Sequence, residues 1–113
     1  MKMPVKVILR GQALEAFDLL EHRTDKEAIA LLKSIRRARD ILKVDPQHGD
    51  VLKKVLIPAS MKRLGVQTLY RMELAKYWRM LYTIQSGTVE IYVIVLTIVD
   101  HPSYDRLLGY KKQ

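Results

Sequence analysis

The hydrophobic pattern of the first 50 residues changes its period once. A β-branched run, VKVILR (5–10), predicts a strand. Helical spacing follows, and in TDKE the residue Thr24 stands three positions before Glu27, which predicts a capping box at the start of a second helix. DPQHGD (45–50) ends that helix, so the pattern predicts a helical hairpin packed on a sheet. The apolar positions are Ala13, Leu14, Phe17 and Leu20 in the first helix and Ala28, Leu31, Leu32, Ile35, Ala38 and Leu42 in the second.

The last third of the chain predicts an antiparallel meander. TLYRMELA (68–75) alternates apolar and polar residues, and WRMLYTI (78–84) follows it closely as a second strand. QSGT (85–88) has Ser-Gly at its centre, which favours a hairpin turn. VEIYVIVLTIV (89–99) is nearly all hydrophobic, as expected of a strand buried on both faces. DHPSYDRLLGY (100–110) then leaves the sheet, with its proline suited to the first turn of a short helix.

The segment between these halves, residues 51–67, is basic and has no clear period, so we expect it to be mostly loop with a short helical turn between Pro58 and Gly65. The order of elements predicts an α+β fold in a single domain, residues 1–113. An N-terminal strand and a helical hairpin would cover one face of a small antiparallel sheet of about four strands. The other face would be left free.

Composition narrows the class of protein. The chain has 113 residues, 49% hydrophobic and 28% charged, which indicates one globular domain. It has no cysteine, so it has no disulfide framework and no thiolate metal site, which fits the cytoplasm. The longest apolar run, IYVIVLTIV (91–99), is about half the ~20 residues of a spanning helix. We therefore expect neither a membrane segment nor a signal peptide.

Charge is unevenly distributed along the chain. The net charge is +8; residues 1–52 hold 10 Lys and Arg against 8 Asp and Glu, and residues 53–113 hold 10 against 4. A basic half suggests a polyanionic partner such as nucleic acid, or an acidic protein. The alternative is a generally basic surface. The three histidines are scattered, which predicts no metal site.

Three charged residues of the meander are candidates for chemistry. Arg71 and Glu73 are two positions apart and share one face of their strand, and a tight connection would bring Arg79 close to them. This arrangement predicts either a cross-strand ion pair on a wet sheet, worth at most ~1 kcal/mol, or a site with surplus positive charge suited to phosphate.

Residues beyond the last strand are candidates as well. His101 follows that strand, where it would act as a general acid or base or simply cap a helix. Tyr104 and Tyr110 lie near it in the sequence. Three strand aromatics would stack on bases or, as their apolar strands favour, pack in the core: Trp78, Tyr82 and Tyr92.

The segments LYRMELAKYWRMLYTI (69–84) and VEIYVIVLTIVDHPSYDRLLGY (89–110) resemble the RelE/ParE superfamily of toxins from toxin–antitoxin modules, most closely the RelE-type mRNA interferases of archaea and bacteria. The resemblance implies a RelE-like, microbial ribonuclease-like fold. It implies a type II toxin, a cytoplasmic, ribosome-dependent endoribonuclease that inhibits translation by metal-free acid–base cleavage of mRNA, without a cofactor. The implied partners are mRNA, the ribosome and an acidic cognate antitoxin in a hetero-oligomer.

The resemblance also implies roles for particular residues. Arg71 and the arginine that begins Arg79–Tyr82 match basic residues that line the RNA site of such toxins, and His101 with Tyr104 or Tyr110 would complete it. Glu73 departs from the pattern, because several relatives have a second basic residue there. It is then either the general base or a neutralising partner of Arg71. The residues expected to bind RNA are Lys53, Lys54, Lys62, Arg63 and Tyr110.

Two alternatives stay open. A ParE-type toxin shares the fold but inhibits DNA gyrase and has no nuclease activity. A non-catalytic relative would only bind a partner or nucleic acid, and the glutamate at position 73 favours that alternative.

Overall fold

A computed structural model describes residues 3–109, which form an α+β fold with one five-stranded mixed sheet in the order β1-β5-β4-β3-β2. The elements, in chain order, are β1 (Val5–Leu9), α1 (Gln12–Glu21), α2 (Lys26–Val44), β2 (Asp50–Val51), α3 (Ala59–Arg63), β3 (Tyr70–Glu73), β4 (Arg79–Ser86), β5 (Ile91–Val99) and α4 (His101–Leu108), with single 3-10 turns at Lys54–Leu56 and Ala75–Tyr77. The predicted α+β class and the three-strand meander are thus confirmed.

The sheet differs from the prediction in strand number and direction. It has five strands, and β1 pairs with β5 in parallel, while the other three pairings are antiparallel. The prediction of about four antiparallel strands was wrong because hydrophobic alternation indicates which face a residue takes, not which strand it pairs with. The additional strand, Asp50–Val51, has only two residues and leaves no periodic signal.

Helix α2 begins one residue later than the capping box predicted. Asp25 is the N-cap, and its carboxylate accepts a hydrogen bond from the backbone N–H of Ala28 at 3.2 Å. Arg23 donates to Asp25 and to Glu27, so the Glu27 carboxylate is held by a side chain instead of turning back to the backbone. A carboxylate at this position is also favoured by the helix dipole, which explains why Asp25 replaces Thr24.

Two hydrophobic clusters lie on opposite faces of the sheet. The first packs α1 and α2 against the sheet through residues such as Leu31, Leu42 and Tyr82. The second lies on the other face and is built from Leu52, Ile57, Met61, Val66, Leu69, Leu81, Tyr104 and Leu108. The prediction of a free second face was therefore wrong over this area. The segment expected to be mostly loop contains β2, a 3-10 turn and α3, because its buried apolar residues anchor it to the sheet.

The strand aromatics take different environments. Tyr82 is fully buried and stacks on Tyr70 with ring centres 5.0 Å apart, so the core prediction is confirmed for it. Trp78 is partly buried against the first cluster, whereas the Tyr92 hydroxyl donates to Glu90 at 2.6 Å. Within the described part of the chain, no helix is long and apolar enough to cross a membrane.

Candidate functional site

The pairing of β3 with β4 brings the predicted charged residues together. Glu73 is the direct partner of Arg79, and Arg71 is the partner of Leu81. Directly opposite residues of antiparallel strands point to the same face, so Arg71, Glu73 and Arg79 share the face that carries the second cluster. The short connection between the strands, residues 74–78, makes this register possible.

Tyr104 lies between the two arginines. Arg71 donates through Nη1 to the Tyr104 hydroxyl at 3.1 Å, and the Arg79 guanidinium carbon is 5.7 Å from the centre of the same ring. That second distance is within the range of a cation–π interaction. Tyr104 is only 2% exposed, so its phenol is a core group that orients both guanidinium groups.

Helix α4 holds Tyr104 in place. Asp100 is its N-cap and accepts a hydrogen bond from the Ser103 N–H at 3.0 Å, and Pro102 lies in the first turn as the sequence predicted. Tyr104 and Leu108 are four residues apart and both enter the second cluster. Because residues at i and i+4 lie on one face of a helix, this spacing is a sequence signal that Tyr104 and Leu108 share a buried face.

Arg71 has a further partner that the sequence did not indicate. Its Nη2 lies 3.0 Å from a carboxylate oxygen of Asp50, the residue that pairs with it across β2 and β3. The hydrogen bond with Tyr104, followed by that with Asp50, raises the pKa of Arg71, so the guanidinium stays charged. Asp50 was missed because it lies on the two-residue strand.

The positive charge of the site is only partly compensated. Arg79 donates through Nη1 to the Trp78 carbonyl at 3.3 Å. The Nε atoms of Arg71 and Arg79 are both buried and have no hydrogen-bond partner among the described residues. Two guanidinium groups therefore have one bound carboxylate between them, that of Asp50. A surplus cation with an unused donor suits a phosphate oxygen.

Glu73 does not form the predicted ion pair. Within residues 3–109 its carboxylate has no cationic side-chain group within 4.0 Å, and the residue is exposed. Asp50 occupies the position beside Arg71 that a neutralising Glu73 would take. Glu73 is therefore an exposed acid, opposite an arginine in register and not bound to it.

His101 lies at the same end of the sheet. It is the first residue of α4, two positions after Val99, which pairs with Arg79. Its Nε2 is 3.4 Å from a carboxylate oxygen of Asp105, one helical turn on, and its ring is about half exposed.

The predicted RNA-binding lysines and arginine are all on the surface. Two of them lie at the start of the 3-10 turn, and two lie at the end of α3. Ile57 and Met61 of the same segment pack into the cluster that contains Tyr104. Tyr110 lies outside the described residues. Nowhere in residues 3–109 do three or more His, Asp and Glu side chains gather as potential metal ligands. The exposed basic residues are Lys53, Lys54, Lys62 and Arg63.

A cavity that is separate from this site lies elsewhere on the same face of the sheet. It has a volume of about 1000 Å³ and includes none of the candidate catalytic residues. Arg71, Arg79 and Tyr104 are not part of its lining. The lining of the cavity includes Arg10, Met61, Leu64, Thr97, Arg106 and Leu107.

No protein-family model matches the chain, and no curated protein is significantly similar to it. A proposal for the function therefore depends on the geometry of the site and on the resemblance in residues 69–84 and 89–110.

Proposed function

We propose that the chain is a RelE-type toxin of a type II toxin–antitoxin module, acting in the cytoplasm as a ribosome-dependent mRNA endoribonuclease. The observation that supports this most directly is the pair of arginines around Tyr104, one bonded to its hydroxyl and one over its ring. The site has surplus positive charge, and the strand register places an exposed acid next to it.

The proposed reaction is cleavage of RNA by its own 2′-hydroxyl. That hydroxyl loses a proton and attacks the adjacent phosphorus, negative charge builds on the phosphorane oxygens, and the 5′-oxygen leaves with a proton. Arg71 and Arg79 supply fixed cations where the charge develops, and such electrostatic stabilisation is often the largest catalytic term. The Nε atom of each is buried, so a phosphate would be contacted by the outer nitrogens of the two guanidinium groups.

Glu73 and His101 are the proposed proton carriers. Glu73 is exposed and opposite Arg79 in register, so in this proposal it accepts the proton of the 2′-hydroxyl. His101, at the start of α4, gives a proton to the leaving oxygen. Each step of this kind typically contributes about 10²–10⁴-fold. Tyr104 is too buried to reach RNA, so we assign it a positioning role instead of the catalytic one expected from the sequence.

The exposed cations of the 53–63 segment would hold the RNA backbone or ribosomal RNA through salt-sensitive contacts. The same surplus of positive charge supports an acidic antitoxin as the partner in a hetero-oligomer. The proposal that cleavage uses neither a metal nor a cofactor rests on the resemblance to RelE-type toxins.

Cell-free translation with mapping of mRNA 5′ ends tests the proposal. The wild-type chain should produce ribosome-dependent cuts, and Arg79→Ala should lose them. Arg39→Ala is the matched control, because Arg39 is exposed on α2 and, among residues 3–109, forms an ion pair only with its neighbour Asp40. Intact mRNA with normal translation would refute the nuclease assignment, and inhibition of gyrase supercoiling in its place would indicate the ParE-type alternative.

A binding-only relative is the second candidate, because one observation favours it. Arg71 is already bonded to both Tyr104 and Asp50, so part of its donor capacity is used within the protein. RNA that is bound but never cut, at all pH values between 5 and 9 where the fold persists, would support this candidate.

A further inference from the structure

The connection between β3 and β4 has an unusual backbone. Lys76 has φ 58° and ψ 33°, Tyr77 has φ 62°, and the Trp78 N–H donates to the Ala75 carbonyl at 3.2 Å. Two central residues with positive φ and this hydrogen bond are the features of a type I′ turn, in which Asn-Gly is preferred. The chain places a lysine and a tyrosine there instead.

At its other positions with positive φ, the chain has the residue type that this backbone conformation favours. The other residues with positive φ in the described part of the chain are all glycines: Gly11, Gly65 and Gly109. A left-handed conformation costs a residue with a Cβ roughly 1–2 kcal/mol. Packing does not offset that cost at Tyr77, because the residue is 80% exposed. Strain of this kind, kept without a packing gain, is typical of functional positions.

Helix α2 fixes the base of this turn. The Ser34 hydroxyl donates to the Leu31 carbonyl at 2.9 Å and accepts a hydrogen bond from the Ala75 N–H at 3.2 Å. Leu74 N–H also donates to the Trp78 carbonyl at 2.8 Å. Tyr77 is therefore presented to solvent from an anchored backbone.

A basic depression lies beside the turn. It has a volume of about 320 Å³, and its lining contains three cationic side chains and no carboxylate. Within residues 3–109 these cations have no anionic side-chain group within 4.0 Å. The lining residues are Lys26, Ile29, Ala30, Lys33, Ser34, Arg37 and Ala75.

We propose that this turn and the adjacent face of α2 bind single-stranded RNA, with a base stacked on Tyr77 and a backbone phosphate held by Lys33 and Arg37. The inference rests on the proposed function, and Tyr77 is two residues from Arg79; because α2 packs on the sheet face opposite to Arg71 and Arg79, the strand would pass around the end of the sheet between the two places. An exposed aromatic ring together with uncompensated cations is the combination that single strands use. Tyr77 is two residues after Ala75, which lines the depression. Nothing in the depression would pair with the basic groups of a protein partner.

Affinity for an uncleavable strand tests the inference. The probe is a fluorescein-labelled 2′-O-methyl RNA about 12 nucleotides long, which lacks the attacking hydroxyl, measured by fluorescence anisotropy. Tyr77→Ala should raise Kd at least about fivefold, and Tyr77→Phe should leave it unchanged, because the ring is retained. Lys33→Ala should lower the salt dependence of log Kd by about 0.7, the value for one single-strand phosphate. Lys43→Ala, an exposed charge on the same helix outside the depression, is the control.

The outcomes separate the two proposals. RNA binding that falls with Arg79→Ala but not with Tyr77→Ala or Lys33→Ala would overturn this inference and leave the proposed function standing. No binding by the wild-type chain at about 50 mM salt would overturn this inference, whereas the proposed function is refuted only by the absence of ribosome-dependent cleavage. Loss of affinity for an acidic protein partner alone, on changing Tyr77, would assign the turn to that partner and overturn the RNA inference.

Discussion

The turn between β3 and β4 should become more stable when it receives the residues its geometry favours. The perturbation is the double variant Lys76→Asn with Tyr77→Gly. In the wild type both positions have positive φ, and the Tyr77 side chain is exposed, so the substitution removes strain and almost no packing. We therefore expect the double variant to unfold at higher denaturant concentration than the wild type.

The magnitude follows from opposing terms. Relief of a left-handed conformation is worth roughly 1–2 kcal/mol for Tyr77→Gly. The greater freedom of glycine in the unfolded chain takes back about 0.4–1 kcal/mol. Asparagine tolerates the left-handed region better than lysine, which adds a few tenths of a kcal/mol. The net gain is about 1 kcal/mol, within a range of roughly 0.2–2 kcal/mol, and each kcal/mol corresponds to roughly 3–6 °C in Tm for a chain of this length.

Urea unfolding followed by circular dichroism measures the gain. The midpoint should rise with an unchanged m-value, because the buried surface is the same. The control is Val89→Ala, which removes an exposed side chain near the next hairpin and so reports the effect of that loss alone. Lys43→Asn with Val44→Gly is not suitable, because it alters a helix end. An unchanged or lower midpoint in the double variant would refute the claim that this turn stores strain. A higher midpoint with weakened RNA affinity would show that the wild-type residues serve binding at a cost in stability.

Three further predictions concern the supports of the site and the helix cap. Gly49→Ala should destabilise the fold by about 1–3 kcal/mol in urea unfolding, because its Cβ would lie 2.7 Å from the Arg71 carbonyl and 2.8 Å from the Tyr82 hydroxyl; an unchanged midpoint would contradict the close approach. Tyr104→Phe should lower kcat for mRNA cleavage, because the hydrogen bond that orients Arg71 is lost, and should leave the salt dependence of RNA binding by the 53–63 segment unchanged; unaltered kcat would remove its positioning role. Asp25 has its pKa lowered from 3.8 to about 2, first by the hydrogen bond from Arg23, so its stabilising effect is present above pH 4 and is lost as the pH falls toward 2. Acid titration of Asp25→Asn should show a smaller loss of stability over that interval, and equal losses would refute the assignment.

Some parts of this fold are readable from the sequence because a single periodic signal decides them. The strands β4 and β5 have long apolar runs, and the helix α2 has a continuous stripe, so each was located to within two residues. The parallel pairing of β1 with β5 was not readable, since strand partners depend on the crossover made by the whole chain. Helix α3, with five residues, is too short to show a period.

The candidate site was readable in the same limited way. Alternation and a tight connection predicted that Arg71, Glu73 and Arg79 would meet on one face, and the register places them there. Asp50 was missed because it reaches Arg71 only through the two-residue strand. The spacing of Tyr104 and Leu108 indicates a shared helix face, but the burial of Tyr104 was missed because that spacing does not state where α4 packs.

The relation of Glu73 to the two arginines favours the proposed site over a stabilising surface network. In a sheet face arranged for stability, opposite charges that stand in direct register would be expected to pair, and each such pair contributes roughly 0.2–1 kcal/mol. Glu73 and Arg79 are in direct register and do not pair; Arg79 turns toward the ring of Tyr104 instead. That ring is held by the core, and it also accepts the hydrogen bond from Arg71, so both guanidinium groups are oriented by one buried phenol. The arrangement keeps an acid and a cation close together, each with capacity to bind something else. A phosphate with a neighbouring hydroxyl requires both groups in that state, and an ion pair between them would use up both.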